Sequence, residues 1–211
     1  MGDSHKKVLI LTKIIIMKAK ELLIKMNACP KAIQWVANKS VKEAWESCPY
    51  GDWMLWFAVK LQADKKKLFL AKSIVAHQSV EWMENKKSRD AVRAAFLYGK
   101  GKKQKEYLEM AAAAIMPYEQ NDPFKPDNPY DHAFNSAFAA VSSPSLSSLF
   151  ASSAAASTAA VADAAASTAA SYAASAIDAT NDSTAAARKK SLSKSANICR
   201  KILTDEICRK L

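Results

Sequence analysis

Residues 151–187 hold 19 Ala and 11 Ser or Thr in 37 positions. Ala is the strongest helix former, because it loses no side-chain entropy on ordering. No Gly follows Gly101 and no Pro follows Pro144, so the residues that most readily break a helix are missing from the last third of the chain. The tract therefore predicts helices with smooth faces, against which a neighbouring backbone can approach closely, as small residues allow at tight helix interfaces. The segment Ala-Ala-Ala-Ser-Thr-Ala-Ala occurs at 154–160 and again at 164–170. At about 100° per residue the two copies fall about 80° apart around a helix, so they do not line one face. The tract reads as close-packing scaffold for the first half of the chain, with almost no chemistry of its own.

Four Gly in 211 residues are too few for an all-β protein built on tight turns. The expected fold is all-α: a compact multi-helix bundle or stacked helical hairpins with closely packed Ala/Ser-rich helices. Residues 1–16 read as a dispensable extension, with Met17 opening the first helix. Residues 17–116 form a Trp-rich basic helical module. Residues 117–143 carry Pro117, Pro123, Pro126 and Pro129 and read as an irregular loop followed by a short helix over 129–141. Residues 144–211 are Ala/Ser-rich helices ending in an amphipathic helix, packed with 17–116 as one domain. The start mimics a secretory leader at Lys6-Lys7-Val8-Leu9-Ile10-Leu11, but Lys13 interrupts the apolar run and no small-x-small cleavage site follows. No apolar run reaches the ~20 residues of a membrane span. The expected location is the cytoplasm.

Local punctuation predicts individual helices. Pro30 suits a first helical position, and Ser40-Val41-Lys42-Glu43 has the pattern of a capping box. Pro49-Tyr50-Gly51 reads as a break, with Asp52 capping a helix from Trp53 to about Leu61. Lys65–Glu84 reads as one helix with Leu68, Ala71, Val75 and Trp82 along a stripe. Ser88 is expected to cap the next, whose stripe of Val92, Ala95 and Phe96 runs to a stop at Gly99. Another helix runs from Lys102 to Met116. Ser183 is expected to cap a last helix that buries Leu192, Ala196, Cys199 and Leu203 at spacings of three and four.

The formal charge is +11, and it is unevenly placed: residues 1–110 hold 22 Lys or Arg against 11 Asp or Glu, and the remainder holds 9 of each. Lys86, Lys87, Arg89 and Arg93, followed by Lys100, Lys102, Lys103 and Lys105, form the one stretch with the charge of a nucleic-acid footprint. It carries no interleaved aromatics of the stacking type. All five Trp fall between positions 35 and 82. Trp45 and Trp56 read as core, whereas Trp53 and Trp82 are the candidates for anchoring a partner.

Enzyme constellations are missing. Gly99-Lys-Gly101-Lys-Lys lacks the spacing and hydroxyl of a phosphate loop, and no Gly-x-Ser-x-Gly elbow occurs. Glu81 and Glu84 read as a solvated helix edge, and His77 as part of a half-buried helix face. Cys29, Cys48, Cys199 and Cys208 show no Cys-x-x-Cys spacing and read as reduced core thiols. The expectation is a protein without catalytic residues, cofactor or metal.

Two stretches carry a resemblance to a known family. One is Asn27-Ala-Cys-Pro-Lys-Ala-Ile-Gln-Trp, Val41-Lys-Glu-Ala-Trp-Glu-Ser-Cys and Gly51-Asp-Trp-Met-Leu-Trp. The other is the Ala-rich tract leading into Ala187-Arg-Lys-Lys-Ser-Leu-Ser-Lys-Ser-Ala-Asn-Ile-Cys-Arg-Lys-Ile. Together, over roughly 27–61 and 150–203, they resemble the immunity protein family of phages and mobile regions of bacterial genomes, whose members are small and all-helical. Relative to that pattern the 117–130 loop and the next helix look like an insertion. The resemblance implies a non-enzymatic protein-binding protein, toxin-neutralising or directed against a host defence protein. Two alternatives stand beside it: nucleic-acid binding through the basic first half, and a virion or assembly protein that oligomerises through the Ala tract.

Overall fold

The computed structural model describes residues 18–83, 85–115 and 184–211. The expected extension, the Pro-rich loop, the 129–141 helix and the Ala/Ser tract as far as Ser183 lie outside the described residues. Among the described residues the elements are α1 (Ala19–Lys25), α2 (Pro30–Val36), α3 (Val41–Ser47), α4 (Gly51–Lys60), α5 (Lys65–Ala76), a 3-10 segment (His77–Trp82), α6 (Lys86–Gly99), α7 (Lys105–Ile115) and α8 (Thr184–Lys210). The fold class is all-α. The one isolated bridge recorded, between Lys18 and Ser40, ties the start of α1 to the α2–α3 turn, where the Ala19 N–H donates to the Lys39 carbonyl at 3.0 Å.

Side-chain caps or a first-turn proline explain four of the eight helix starts among the described residues. Pro30 occupies the first turn of α2, where its missing N–H costs nothing. Ser40 and Glu43 exchange the two bonds of a capping box: the Glu43 N–H donates to Ser40 Oγ at 3.2 Å, and the Ser40 N–H donates to Glu43 Oε2 at 2.8 Å. The backbone bond from Ser40 holds the Glu43 carboxyl below its ordinary pKa. Asp64 caps α5 by accepting from the Lys67 N–H at 2.9 Å.

Two expected caps are displaced. Asp52 does not cap α4; the helix already starts at Gly51, behind an extended Tyr50. Ser88 does not cap α6; Asn85 does, accepting from the Lys87 N–H at 2.8 Å, and Ser88 is buried inside the helix.

Helix ends follow one device. α1, α4 and α6 each finish on a residue of positive φ: Asn27 (56°), Gln62 (53°) and Gly101 (70°). In each case the next N–H reaches back to the carbonyl of the third-last helical residue, as Lys102 N–H does to Leu97 O at 2.8 Å. The stop of α6 is thus Gly101, not Gly99. Gly99 is the last helical residue, and a Cβ there would lie 2.6 Å from the Leu70 backbone nitrogen. Ala37, after α2, also sits at positive φ (43°, ψ −109°), in a turn closed by the Lys39 N–H on the Val36 carbonyl at 2.8 Å. The helix expected over Lys65–Glu84 ends instead at Ala76 and tightens into the 3-10 segment. His77 is exposed there, not half-buried.

Two apolar clusters share α5. The larger gathers α1–α5 with α8, and the smaller gathers α5, α6 and α7 around Phe69, Met83, Val92 and Leu108. The expected stripe of α8 is buried as predicted and extends to Ile207; Ala196, Cys199, Leu203 and Ile207 are each at 0% exposure. Burial of Leu203 and Ile207 contributes about 2 kcal/mol each. α8 lies directly on α4. A Cβ on Gly51 would stand 2.3 Å from Ser195 Cβ and 2.7 and 2.8 Å from the backbone atoms Ser195 C and Ala196 N, so only glycine fits. Side chains tie α8 to its other neighbours beside that seam: Trp45 Nε1 of α3 donates to Thr204 Oγ1 at 3.0 Å, Arg200 Nη1 to the Cys48 carbonyl just after α3 at 2.7 Å, and Gln78 Nε2 of the 3-10 segment to Ser195 Oγ at 2.8 Å. Glu206, buried on α8, is held by Arg209 and by Lys67 at 3.9 Å. Lys72 is buried with its ammonium 4.9 Å from the Phe69 ring centre, and burial pulls its pKa down to about 7.

Candidate functional site

The capping box of α3 and the turn before α4 place four tryptophans around one concavity. Trp35 comes from α2, Trp45 from α3, and Trp53 and Trp56 from α4; with α1 they enclose a cavity of about 290 Å³. That is the low end of the range for small-ligand sites. Ala32, Ala44, Cys48 and Phe57 form part of its buried floor, and the half-buried Trp35, Asp52, Trp53 and Trp56 rise toward its rim with the exposed Cys29. The rim rings are braced edge to face. Trp35 and Trp53 have centroids 6.2 Å apart at 67°, Trp35 and Tyr50 6.4 Å at 85°, and Tyr50 lies 4.2 Å from Trp53. Lys39 closes the outside of Trp35, its ammonium 4.2 Å from the ring centre and bonded to the Trp35 carbonyl at 2.9 Å.

The chemistry of this cavity is that of contact. Asp52 is its one charged lining side chain among the described residues. Trp45 turns its only polar atom away, onto Thr204 of α8. The Cys48 thiol donates to the Tyr50 carbonyl at 3.5 Å, and burial pushes it up to about 11; a thiol so held is a weak nucleophile at neutral pH. Cys199 is driven higher still by complete burial. Among the described residues no group of His, Cys, Asp and Glu is placed to hold a metal ion. None of their helices is long and apolar enough to cross a membrane.

No family model, curated protein or solved structure matches this chain.

The sequence-predicted site residues separate into two places. Trp53 belongs to the cavity rim, half-buried among other aromatics; the side chain of Trp82 lies outside the described residues. The basic residues collect on the α6–α7 hairpin. Lys86, Lys87, Arg89 and Arg93 are exposed on α6, Lys102 and Lys103 in the turn and Lys105 at the start of α7. Arg89 folds back to donate to the Met83 carbonyl, and Lys105 is paired with Glu109. The lysines are not without aromatics, as their sequence neighbours suggest. Phe96, expected on the buried stripe, is 36% exposed, and Tyr107 is 37% exposed. Lys100 stands 5.8 Å from the Phe96 ring and Lys103 5.1 Å from the Tyr107 ring. Each pair is four residues apart: the last turn of α6 brings Lys100 beside Phe96, and the turn into α7 brings Lys103 beside Tyr107.

Other parts of the site went unread in the sequence. Trp56 does not enter as a site residue because it reads as core, and Trp35 is singled out neither as core nor as anchor. Asp52 reads as a cap in the sequence, not as a site residue. The four thiols divide: Cys48 and Cys199 are buried as expected, whereas Cys29 and Cys208 are exposed. The two stretches that carry the family resemblance, far apart in sequence, meet at the α4–α8 seam, where Cys199 Sγ lies 3.9 Å from the Gly51 carbonyl and Arg200 bonds Cys48. Much of the sequence in these two stretches therefore has a packing explanation.

Proposed function

We propose that this chain is a non-catalytic binding protein that receives a protein partner at the Trp-rimmed cavity of α1–α4. One observation carries the reading: a concavity of about 290 Å³ walled by four tryptophans, with a single charged side chain on its lining among the described residues. Pockets of this kind take an apolar or aromatic anchor from a partner, and such anchors carry most of the energy of an interface. The half-buried Trp53 offers ring surface at the rim, and its neighbours hold it in place without a large loss of side-chain freedom on binding. The raised thiol of Cys48 and the lone carboxylate of Asp52 favour recognition over acid–base or nucleophilic chemistry. The immunity-type resemblance points the same way, toward neutralisation of a toxin or a host defence protein by a phage or mobile-element product.

A photo-crosslinking amino acid placed at position 53 tests the reading in the source cells, with position 201 on the exposed face of α8 as the control. A discrete protein adduct from position 53 and none from position 201 is the expected result. Failure to form any adduct at 53, or equal adducts at both positions, would refute it.

A further inference from the structure

α6 carries its charge in a line. Lys86, Arg89, Arg93, Phe96 and Lys100 are spaced three, four, three and four apart, so at about 100° per residue they fall within an arc of about 80°. Ser88, Ala91, Ala94 and Ala95 lie on other faces of the helix and are buried. The stripe runs about 21 Å along the helix, and the turn continues it with Lys102 and Lys103. Between Lys86 and Lys105 the chain holds eight Lys or Arg and one acid, Asp90. Just beyond, Glu109 is taken up by Lys105, while Glu106 stands on the exposed first turn of α7. Toward the turn the cations stand beside exposed rings, Lys100 by Phe96 and Lys103 by Tyr107.

We infer that the α6–α7 hairpin is a binding surface for single-stranded nucleic acid. A row of ammonium and guanidinium groups follows a phosphate backbone. Exposed rings beside that row give unpaired bases something to stack on. A duplex keeps its bases stacked internally and would leave Phe96 and Tyr107 without a role. An acidic protein would likewise use the cations and ignore the rings. The inference is independent of the cavity, which lies on α1–α4.

The test is fluorescence anisotropy of a fluorescein-labelled oligothymidylate of about 12 nucleotides, titrated with the full chain across a series of KCl concentrations. Counting Lys86, Arg93, Lys100, Lys102 and Lys103 as phosphate contacts, log affinity should fall against log salt with a slope of about −3.5. The triple variant Arg93→Gln, Lys100→Gln, Lys103→Gln should reduce that slope to about −1.4. Phe96→Leu with Tyr107→Leu should weaken binding about tenfold or more while leaving the slope unchanged. The charge-matched control Lys31→Gln, Lys42→Gln, Lys66→Gln, on α2, α3 and α5, should bind as the parent does. All these side chains are exposed, and circular dichroism of each variant checks its fold. Absence of binding at about 20 mM KCl would overturn the inference. So would equal affinity for the matched duplex, or for polyglutamate, which would assign the hairpin to acidic proteins. Loss of binding in the control and the triple variant alike would show that total charge, and not this surface, is responsible.

Discussion

Gly51→Ala tests the α4–α8 seam most directly. Within a helix, replacing Gly with Ala ordinarily stabilises by about 0.5–1 kcal/mol. Here the added methyl carbon would stand 2.3 Å from Ser195 Cβ and 2.7 and 2.8 Å from backbone atoms of α8. Carbon atoms meet comfortably at about 3.5–4.0 Å, so the helices must part by roughly 1 Å or more. Two of the three obstructing atoms are backbone, which no rotamer change can move aside. Overpacking of this kind costs about 1–3 kcal/mol. The separation also stretches the Arg200–Cys48 and Trp45–Thr204 bonds, each worth about 1 kcal/mol. The expected net loss is about 3 kcal/mol. In urea, followed by tryptophan fluorescence, that lowers the midpoint by about 1 M or more. Ser195→Gly in the Gly51→Ala background removes the closest contact and leaves the other two. A double-mutant cycle should therefore show partial rescue, with a coupling of about 1 kcal/mol. A Gly51→Ala variant as stable as the parent, or more so, would refute the seam as described.

Four further outcomes are expected. Ala37→Gly should stabilise by about 1 kcal/mol in the same urea assay, because the turn holds an alanine at φ 43° that glycine adopts without strain. Trp45→Phe should cost about 1 kcal/mol through loss of the Thr204 bond, and Thr204→Val should add little once it is gone. Titration of the native protein with a thiol reagent should modify Cys29 and Cys208 rapidly and leave Cys48 and Cys199 until the chain is unfolded; fast reaction of all four would contradict the burial. Lys72 has a folded pKa lowered from 10.5 to about 7, so the unfolded chain binds more protons between those values and stability rises with pH across that window. Lys72→Met should therefore be more stable than the parent by up to about 5 kcal/mol near pH 6, with an advantage that shrinks as pH approaches 10; a constant difference would show that Lys72 does not titrate there.

The elements legible in the sequence are those whose cause is local. Pro30 and the Ser40–Glu43 pair act through the backbone within one turn, and the α8 stripe needs only its own periodicity. The misreadings share a different cause. Gly51 reads as a breaker because glycine is a poor helix former, yet it begins α4 because α8 leaves no room for a side chain. Gly99 reads as a stop for the same reason, and its absent side chain makes room for Leu70. Asp52 and Ser88 have cap chemistry, but each lies one or more residues inside a helix that starts earlier. The cavity was hidden for a related reason. Trp56 reads as core and Trp53 as an isolated anchor, and only the tertiary contact of α2 with α4, through Trp35 and Trp53, turns them into a wall. Phe96 and Tyr107 do not read as neighbours of the lysines, because each is four residues from its lysine and only the folded chain brings them together.

The α4–α8 seam has a consequence for the order of assembly. The contacts among α1–α7 fall mainly between elements adjacent in sequence, whereas Gly51 and Cys199 are 148 residues apart. Local helices and hairpins form early, and a partner at that separation docks late. At a synthesis rate of about 5–20 residues per second, roughly 5–20 s pass between emergence of α7 and of α8. Throughout that interval the face of α4 around Gly51 lacks the helix that covers it in the finished molecule. Any α8 supplied from another copy would fit the vacant face as well as its own. Exchange of α8 between chains is the misassembly this arrangement invites, and its yield on refolding should climb with protein concentration.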